Sequence, residues 1–187
     1  TVWDAHARAN SLVRLASVSV SPDQVYSVAI STDGRRIVSG DKSGNTTVWD
    51  ANSLAPLASA RVNLPIISVS ISSDRSFIVG GDKLGNITVW DANSLALLKT
   101  TSVATTVFSV AISADGRRIG SGDNSGNVRL WDANSLAPLK SASVGGSVWS
   151  VAFSADNRRI ASSDDSGVRL WDARSHTARI RCRRRQC

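Results

Sequence analysis

The 187-residue sequence contains no Glu and no Met, and it has one Tyr, three Phe and two Cys. All 15 acidic residues are Asp, which favours turns and caps, whereas the absent Glu is a good helix former. Cys182 and Cys187 both lie at the C-terminal end. The remaining chain has no cysteine, which is typical of a reducing compartment. These shortages argue against a helical protein and against a disulfide framework.

Long hydrophobic runs are also absent. No apolar stretch approaches the roughly 18 residues that a membrane span requires, and no basic segment followed by an apolar run indicates a secretory signal. We therefore predict a cytoplasmic location, with the nucleus as the alternative, and no membrane partner. Because the chain opens on the motif TVWD without a Met, we interpret it as a fragment or a trimmed product.

The positive charge is concentrated at one end. The net charge is +7, but six arginines follow Asp172, and the rest of the chain has 16 basic against 15 acidic residues. The high isoelectric point therefore belongs to the segment 173–187, and the body of the protein is close to neutral.

The body of the sequence is an internal repeat. The stretch SGDKSGNTTVWDANSL at 39–54 returns as GGDKLGNITVWDANSL at 80–95 and as SGDNSGNVRLWDANSL at 121–136. Five Trp-Asp pairs, beginning at Trp3-Asp4, follow one another at spacings of 46, 41, 41 and 40 residues. A fixed period of this length indicates a repeated structural unit.

Each unit contains the pattern of four short strands. The run VYSVAIS and its counterparts IISVSIS, VFSVAIS and VWSVAFS are rich in β-branched and apolar residues, and each ends at a turn such as Asp33-Gly34. A second run such as RRIVSG, a Gly-rich turn and a third run ending in Trp-Asp follow, and a weaker fourth run such as LASARV completes the unit. We find no helical periodicity, and we predict an all-β fold.

The period, the four-strand pattern and the closing Trp-Asp resemble the WD-repeat β-propellers over residues 1–172. The resemblance implies four four-stranded blades that bury their faces by stacking around an axis, either as an incomplete propeller or as half of a larger ring. It also implies structural roles for the repeated pairs. The predicted boundaries are an outer strand at 9–24, blades at about 25–65, 66–106, 107–147 and 148–172, and an unstructured basic tail at 173–187. The repeated pairs are Trp49-Asp50, Trp90-Asp91, Trp131-Asp132 and Trp171-Asp172.

The repeats depart from the family pattern at two positions. Ser21, Val62, Val103 and Val144 stand where the family usually has His, and Ser43, Leu84 and Ser125 stand where it usually has Asp. The buried hydrogen-bond network that the resemblance implies cannot form in its usual shape. We therefore expect apolar packing to dominate, with the Trp rings filling space.

The sequence lacks the arrangement of residues that an enzyme needs. The two histidines, His6 and His176, lie near the ends and beside no nucleophile motif. The stretch GDKSGN lacks the Gly-Lys-Ser/Thr ending of a phosphate loop and is followed by a strand, so we interpret it as a turn. Two cysteines five residues apart do not form a zinc motif. We predict no catalysis, no cofactor and no metal.

One position varies while its neighbours stay constant. The second residue of the first strand in each unit is Tyr26, Ile67, Phe108 and Trp149 in turn. Variable, bulky and exposed side chains are what a binding surface uses, because aromatic anchors dominate interface energies. We hypothesise that these four residues bind a protein or peptide partner; variation in packing is the alternative.

Two basic features have two interpretations each. The pairs Arg35-Arg36, Arg117-Arg118 and Arg158-Arg159 form either a solvated rim or a contact for an acidic partner. The tail ARSHTARIRCRRRQC is either a basic arm for nucleic acid or a sequence accident. We therefore predict a non-catalytic protein-binding scaffold, with a nucleic-acid-associated protein that uses the tail as the alternative.

The sequence leaves open how the blades close into a ring. The fourth triplet of strands is followed only by the arginine tail, and Leu12–Val20 offers a displaced outer strand. Closure of a strained four-blade ring, an eight-blade dimer and an open, aggregating arc are the alternatives. We expect self-association through open blade edges rather than a well-behaved monomer.

Overall fold

A computed structural model describes residues 15–20 and 23–174 of the chain. These residues form antiparallel sheets in which consecutive strands pair with one another. The first sheet contains β1 (Val25–Ile30), β2 (Arg36–Asp41), β3 (Asn45–Asp50) and β4 (Pro56–Arg61); the second contains β5 (Ile66–Ile71), β6 (Phe77–Asp82), β7 (Asn86–Asp91) and β8 (Leu97–Ser102); the third contains β9 (Val107–Ile112), β10 (Arg118–Asp123), β11 (Asn127–Asp132) and β12 (Pro138–Ser143). The fourth contains β13 (Val148–Phe153), β14 (Arg159–Asp164) and β15 (Gly167–Asp172).

The sheets are blades that stack in chain order. The first strands β1, β5, β9 and β13 pack successively against one another. Each blade therefore has a leading face, which meets the blade before it, and a trailing face, which meets the blade after it. This arrangement confirms the predicted all-β propeller architecture. The sheets are not closed into a ring within the described residues, so these residues form an arc of blades.

The core lies between the blades. The side chains of Val38 and Val48 on the trailing face of the first blade pack against Ile66, Val69 and Trp90 on the leading face of the second. The same packing joins the second blade to the third and the third to the fourth. The hydrophobic core of this protein is therefore three copies of one interface, as stacking of sheets that cannot bury both faces alone requires.

Short polar turns fix the ends of the strands. After β3, the Asp50 carboxylate accepts hydrogen bonds from the Ser53 amide and hydroxyl at 2.8 and 2.9 Å. Leu54 then adopts the left-handed conformation with φ 55°, and its amide donates to the Asp50 carbonyl. Leu95 and Leu136 repeat this geometry. The recurring letters WDANSL are therefore the turn that leads from the third strand of a blade to its outer strand.

The Trp rings do more than fill space. In three blades the indole Nε1 donates to a serine on the second strand, over 2.9 Å from Trp49 to Ser39 and from Trp131 to Ser121, and 2.8 Å from Trp171 to Ser162. The second blade has Gly80 at this position, and a Cβ there would approach the Trp90 ring to 2.7 Å. A Trp–Ser hydrogen bond thus persists without the histidine of the family pattern.

The outer strand predicted at 9–24 is not formed in its described part. Leu15–Val20 adopts no strand, and Leu15 is 96% exposed. Residues 9–14, 21 and 22 lie outside the described residues, as do 1–8. The fourth blade has three strands among the described residues, and positions 175–187, which follow it, lie outside them.

Candidate functional site

The four variable residues each occupy a β-bulge. In the first blade Val25 pairs with Asp41 and Ser27 pairs with Gly40, which leaves Tyr26 as the extra residue. Ile67, Phe108 and Trp149 are skipped in the same way in the pairing of their own blades. A bulge interrupts the alternation of the strand and redirects a side chain. Every blade therefore turns its variable residue away from the regular faces of the sheet, at the start of its first strand.

The bulged residues are brought together along one surface. The rings of Phe108 and Trp149, from adjacent blades, stack with centroids 4.6 Å apart and an interplanar angle of 24°. Tyr26 is 44% exposed and Trp149 is 52% exposed, whereas Ile67 and Phe108 are half-buried. Stacking of this kind fixes the orientation of both rings.

A groove of about 490 Å³ runs along this surface. Tyr26, Ile67, Phe108 and Pro65 supply its apolar walls, and Lys42, Lys83, Thr106 and Asn124 complete the lining. We call the four bulged residues, together with Lys42, Lys83, Asn124 and Asp165, the rim surface. Lysine and aromatic side chains side by side can bind a segment that carries both apolar and acidic groups.

The polar members of the rim surface occupy equivalent places. Each follows the last Asp of the second strand, and backbone hydrogen bonds set the positions of Lys42, Lys83 and Asn124. The Lys42 amide donates to the Gln24 carbonyl over 2.9 Å, and the Lys83 amide donates to the Pro65 carbonyl over 3.2 Å. The backbone therefore holds these three residues beside the bulges of their own blades.

The charge changes along the rim surface. The first two blades contribute Lys42 and Lys83, the third Asn124 and the fourth Asp165. The Trp149 Nε1 donates to the Asp165 carboxylate over 2.7 Å, and the Ser147 amide donates to the same carboxylate over 2.9 Å. One end of the surface is therefore basic and open, and the other is acidic, with its carboxylate already accepting hydrogen bonds.

The variable position in the sequence pointed to the bulged residues, but the lysines of the groove were not among the predicted site residues. Lys42 and Lys83 stand inside the repeated stretches interpreted only as turns. Their signal resembles that of Tyr26, because one repeat position changes along the chain: it is Lys in the first two units, Lys42 and Lys83, and becomes Asn124 and then Asp165. Variation inside a conserved-looking turn could have identified them.

The paired arginines divide into two kinds. Arg36 donates to the Ala92 carbonyl and the Asn93 side chain of the next blade, over 3.1 and 2.8 Å. Arg118 donates to the carbonyls of Ala173 and Asn157 in the same manner. Arg35 and Arg117 are exposed. Of the two interpretations, the solvated rim is wrong for Arg36 and Arg118, because their guanidinium groups donate to carbonyls at the edge of the neighbouring blade.

Other predicted features lie partly outside the described residues. His6, His176, Cys182, Cys187 and the tail from position 175 onward are among them, so the nucleic-acid hypothesis stays a prediction. Between 15 and 174, apart from 21 and 22, no three His, Cys, Asp or Glu side chains come close enough to hold a metal ion. The same described ranges contain no helix that is long and apolar enough to cross a membrane.

Comparison with known proteins identifies the repeat. The sequence profile of the WD40 family, described as WD domain, G-beta repeat, matches residues 10–50, 95–132 and 137–172, which together exceed half of the chain. A search of curated proteins finds no match. Among solved structures, the computationally designed protein Ika4 is similar, with a TM-score of 0.75 and 20% identity over 88% of this chain and 100% of that chain. At this identity the likeness concerns the fold.

Proposed function

Because this chain belongs to the WD40 repeat family, whose repeats generally act as protein-interaction scaffolds, we propose that it is a non-catalytic scaffold that binds a peptide segment of another protein at the rim surface. The observation that carries the proposal is that three of the bulged, variable side chains, Tyr26, Ile67 and Phe108, line a single groove, and that the fourth, Trp149, stacks on Phe108. Aromatic side chains in such a setting supply most of the energy of an interface.

The chemistry of the groove favours an acidic peptide with an apolar anchor. An apolar side chain fits between Tyr26, Ile67 and Phe108, where its burial is favourable by about 25 cal/mol per Å². Asp or Glu residues on either side of this anchor meet Lys42 and Lys83, which are exposed. Complementary charge mainly raises the association rate and selects against basic partners.

Selection from a displayed library of short peptides tests the proposal. We expect enrichment of sequences with an aromatic or aliphatic residue flanked by Asp or Glu. In fluorescence polarisation with a selected peptide, Lys42→Glu/Lys83→Glu and Phe108→Ala/Trp149→Ala should each weaken binding by about tenfold or more, since loss of a central contact costs over about 1.4 kcal/mol.

Lys99→Glu is the matched control, because Lys99 is an exposed lysine of β8 outside the groove. The affinity of the Lys99→Glu variant for the selected peptide should equal that of the unchanged protein. Circular dichroism of each variant should retain the β signal. Failure to enrich any peptide, or binding that none of the groove variants weakens, would refute the proposal. Unfolding of Phe108→Ala/Trp149→Ala would identify those rings as core.

A further inference from the structure

The two ends of the arc expose the two halves of the interface that joins the blades. On the trailing faces, the third-strand residues Val48, Val89 and Leu130 are buried by the next blade, but Leu170 at the same position of the fourth blade is 64% exposed. Its neighbour Val168 is 81% exposed. Exposed apolar side chains clustered on one face mark an interaction surface.

The leading face of the first blade is uncovered in the same way. Val28 is 66% exposed, whereas Val69, Val110 and Val151 at the same position are buried. Within the described residues, the first blade therefore lacks the neighbour that the second, third and fourth blades have.

The hydrogen bonds between blades leave matching groups at the two ends. The Val69 amide donates to Ser27 Oγ of the preceding blade over 3.1 Å, and Val110 and Val151 repeat this contact with Ser68 and Ser109 at 3.0 and 3.1 Å. Continuing the series, Ser150 of the fourth blade is the next acceptor, and it is exposed. The Val28 amide of a first blade is the equivalent donor.

The arginines that bridge blades extend the same series. Arg36 and Arg118 reach the backbone that follows the Trp-Asp pair of the next blade. Arg159 is the equivalent residue of the fourth blade, and it is exposed. The carbonyl of Ala51 in a first blade is the group that would accept from it.

We propose that a second copy of this chain covers both ends, with its first blade against the fourth blade of the first copy and its fourth blade against the first. The chain already contains this interface three times, between its own blades. The uncovered leading face of the first blade and the uncovered trailing face of the fourth blade therefore fit each other, and a second copy supplies both. Such a head-to-tail contact forms a ring when the rotation closes. Two four-blade arcs give eight blades, within the range of four to eight typical of propellers, and three arcs would exceed it.

One residue is expected to weaken the junction between two copies relative to the three junctions between blades of one chain. Gly40, Gly81 and Gly122 face Ile66, Val107 and Val148 of the next blade, and a Cβ on these glycines would approach their Cγ atoms to 2.4, 2.5 and 2.4 Å. The fourth blade has Ser163 at this position, and the residue that it would face is Val25 of the other copy. Crowding of this kind weakens packing. The junction between copies is therefore weaker than those inside the chain.

Analytical ultracentrifugation of the 187-residue protein over a range of concentrations tests the proposal. We expect a dimer of twice 19.8 kDa that dissociates on dilution. Ser163→Gly should strengthen dimerisation by at least about tenfold, because it removes the overpacked Cβ at each junction. Leu170→Asp and Val28→Asp should each abolish the dimer while preserving the fold, since both side chains are exposed in the single chain.

Mixing the two Asp variants distinguishes head-to-tail pairing from other contacts. Val28→Asp keeps an intact fourth blade and Leu170→Asp keeps an intact first blade, so the mixture should recover a dimer with one junction. Leu98→Asp, on an exposed outer strand away from both ends, should dimerise like the unchanged protein.

Several results would overturn the proposal. A monomer at every concentration, including with Ser163→Gly, would show that no second copy binds, and hydroxyl-radical footprinting of Leu170 would then report whether the chain's own terminal residues cover that face. Assemblies larger than a dimer would refute the closed pair. A dimer that only one Asp variant disrupts, or that does not reappear on mixing, would refute the head-to-tail contact.

Discussion

At the residue scale, the third strands show how the repeat tolerates a polar atom in its core. Thr46 of β3 is fully buried by the second blade, and Ile87 and Val128 occupy the same position in the next two blades. Among the described residues, the Thr46 hydroxyl is the single buried side-chain oxygen or nitrogen without a hydrogen-bond partner. An unsatisfied buried hydroxyl destabilises the folded state relative to water.

Thr46→Val should therefore stabilise the protein by about 1 kcal/mol, because it replaces the hydroxyl with a methyl group of similar size. Urea denaturation followed by circular dichroism measures the change. Thr47→Val is the control: this side chain points to the other face of the strand, and its hydroxyl lies 3.4 Å from Ser59 Oγ. Equal or lower stability of Thr46→Val would show that the hydroxyl has a partner in solution.

At the scale of the strand, the interlock between blades depends on glycine in the second strand. Gly81 of β6 leaves room for Val107 of β9, and both are buried. A β-branched side chain on one strand thus fits against bare backbone on the next, which lets the two sheets approach closely. The register of each blade against the next is fixed by this pair.

Gly81→Ala should destabilise the protein by about 1–3 kcal/mol, because the added Cβ meets Val107 and the core cannot relax freely. The urea midpoint should fall, and Gly81→Ala/Val107→Ala should lose less stability than the sum of the two single variants. Ser163→Ala, at the equivalent position of the fourth blade, should leave the midpoint unchanged. An unchanged midpoint for Gly81→Ala would mean that the blades are not in this register.

At the scale of the whole molecule, the aspartates act together as turn caps. Hydrogen bonds from the amide and hydroxyl of Ser53 lower the pKa of Asp50, and those of Ser94 lower the pKa of Asp91. The Ser166 hydroxyl and amide, together with Arg169, lower the pKa of Asp164 to about 2. The hydroxyl and amide of Ser135 likewise lower the pKa of Asp132 in the third blade. Every blade therefore contains carboxylates that are held in the charged form more firmly when the chain is folded.

Stability should accordingly fall in acid. Because the pKa of each such carboxyl is lower in the folded state, the unfolded chain binds protons first as the pH drops below about 4. The urea midpoint should be nearly constant from about pH 5 to 7 and should decline steadily between about pH 4 and 2. Asp164→Asn should be less stable at neutral pH and should lose less on acidification. A midpoint that rises in acid would contradict this account.

The sequence by itself determined the blade. Its turns and strand periods are local: Asp-Gly pairs, the WDANSL stretch and the alternation within runs such as SVAIS act over a few neighbouring residues. The period of about 41 residues then predicted stacked sheets, and the variable position that includes Tyr26 singled out four residues as candidates for a partner site, without indicating that they are bulged.

The tertiary structure alone decided which residues of different blades meet. Lys42 and Lys83 line the groove beside Phe108, Arg36 binds the backbone at Ala92, and Leu170 is exposed although its counterpart Leu130 is buried. These relations join residues of different blades, and a repeated sequence assigns the same local preference to each repeat. The stacking of blades determines whether a given blade has a neighbour on each face. Residues at one repeat position therefore differ in burial and in role.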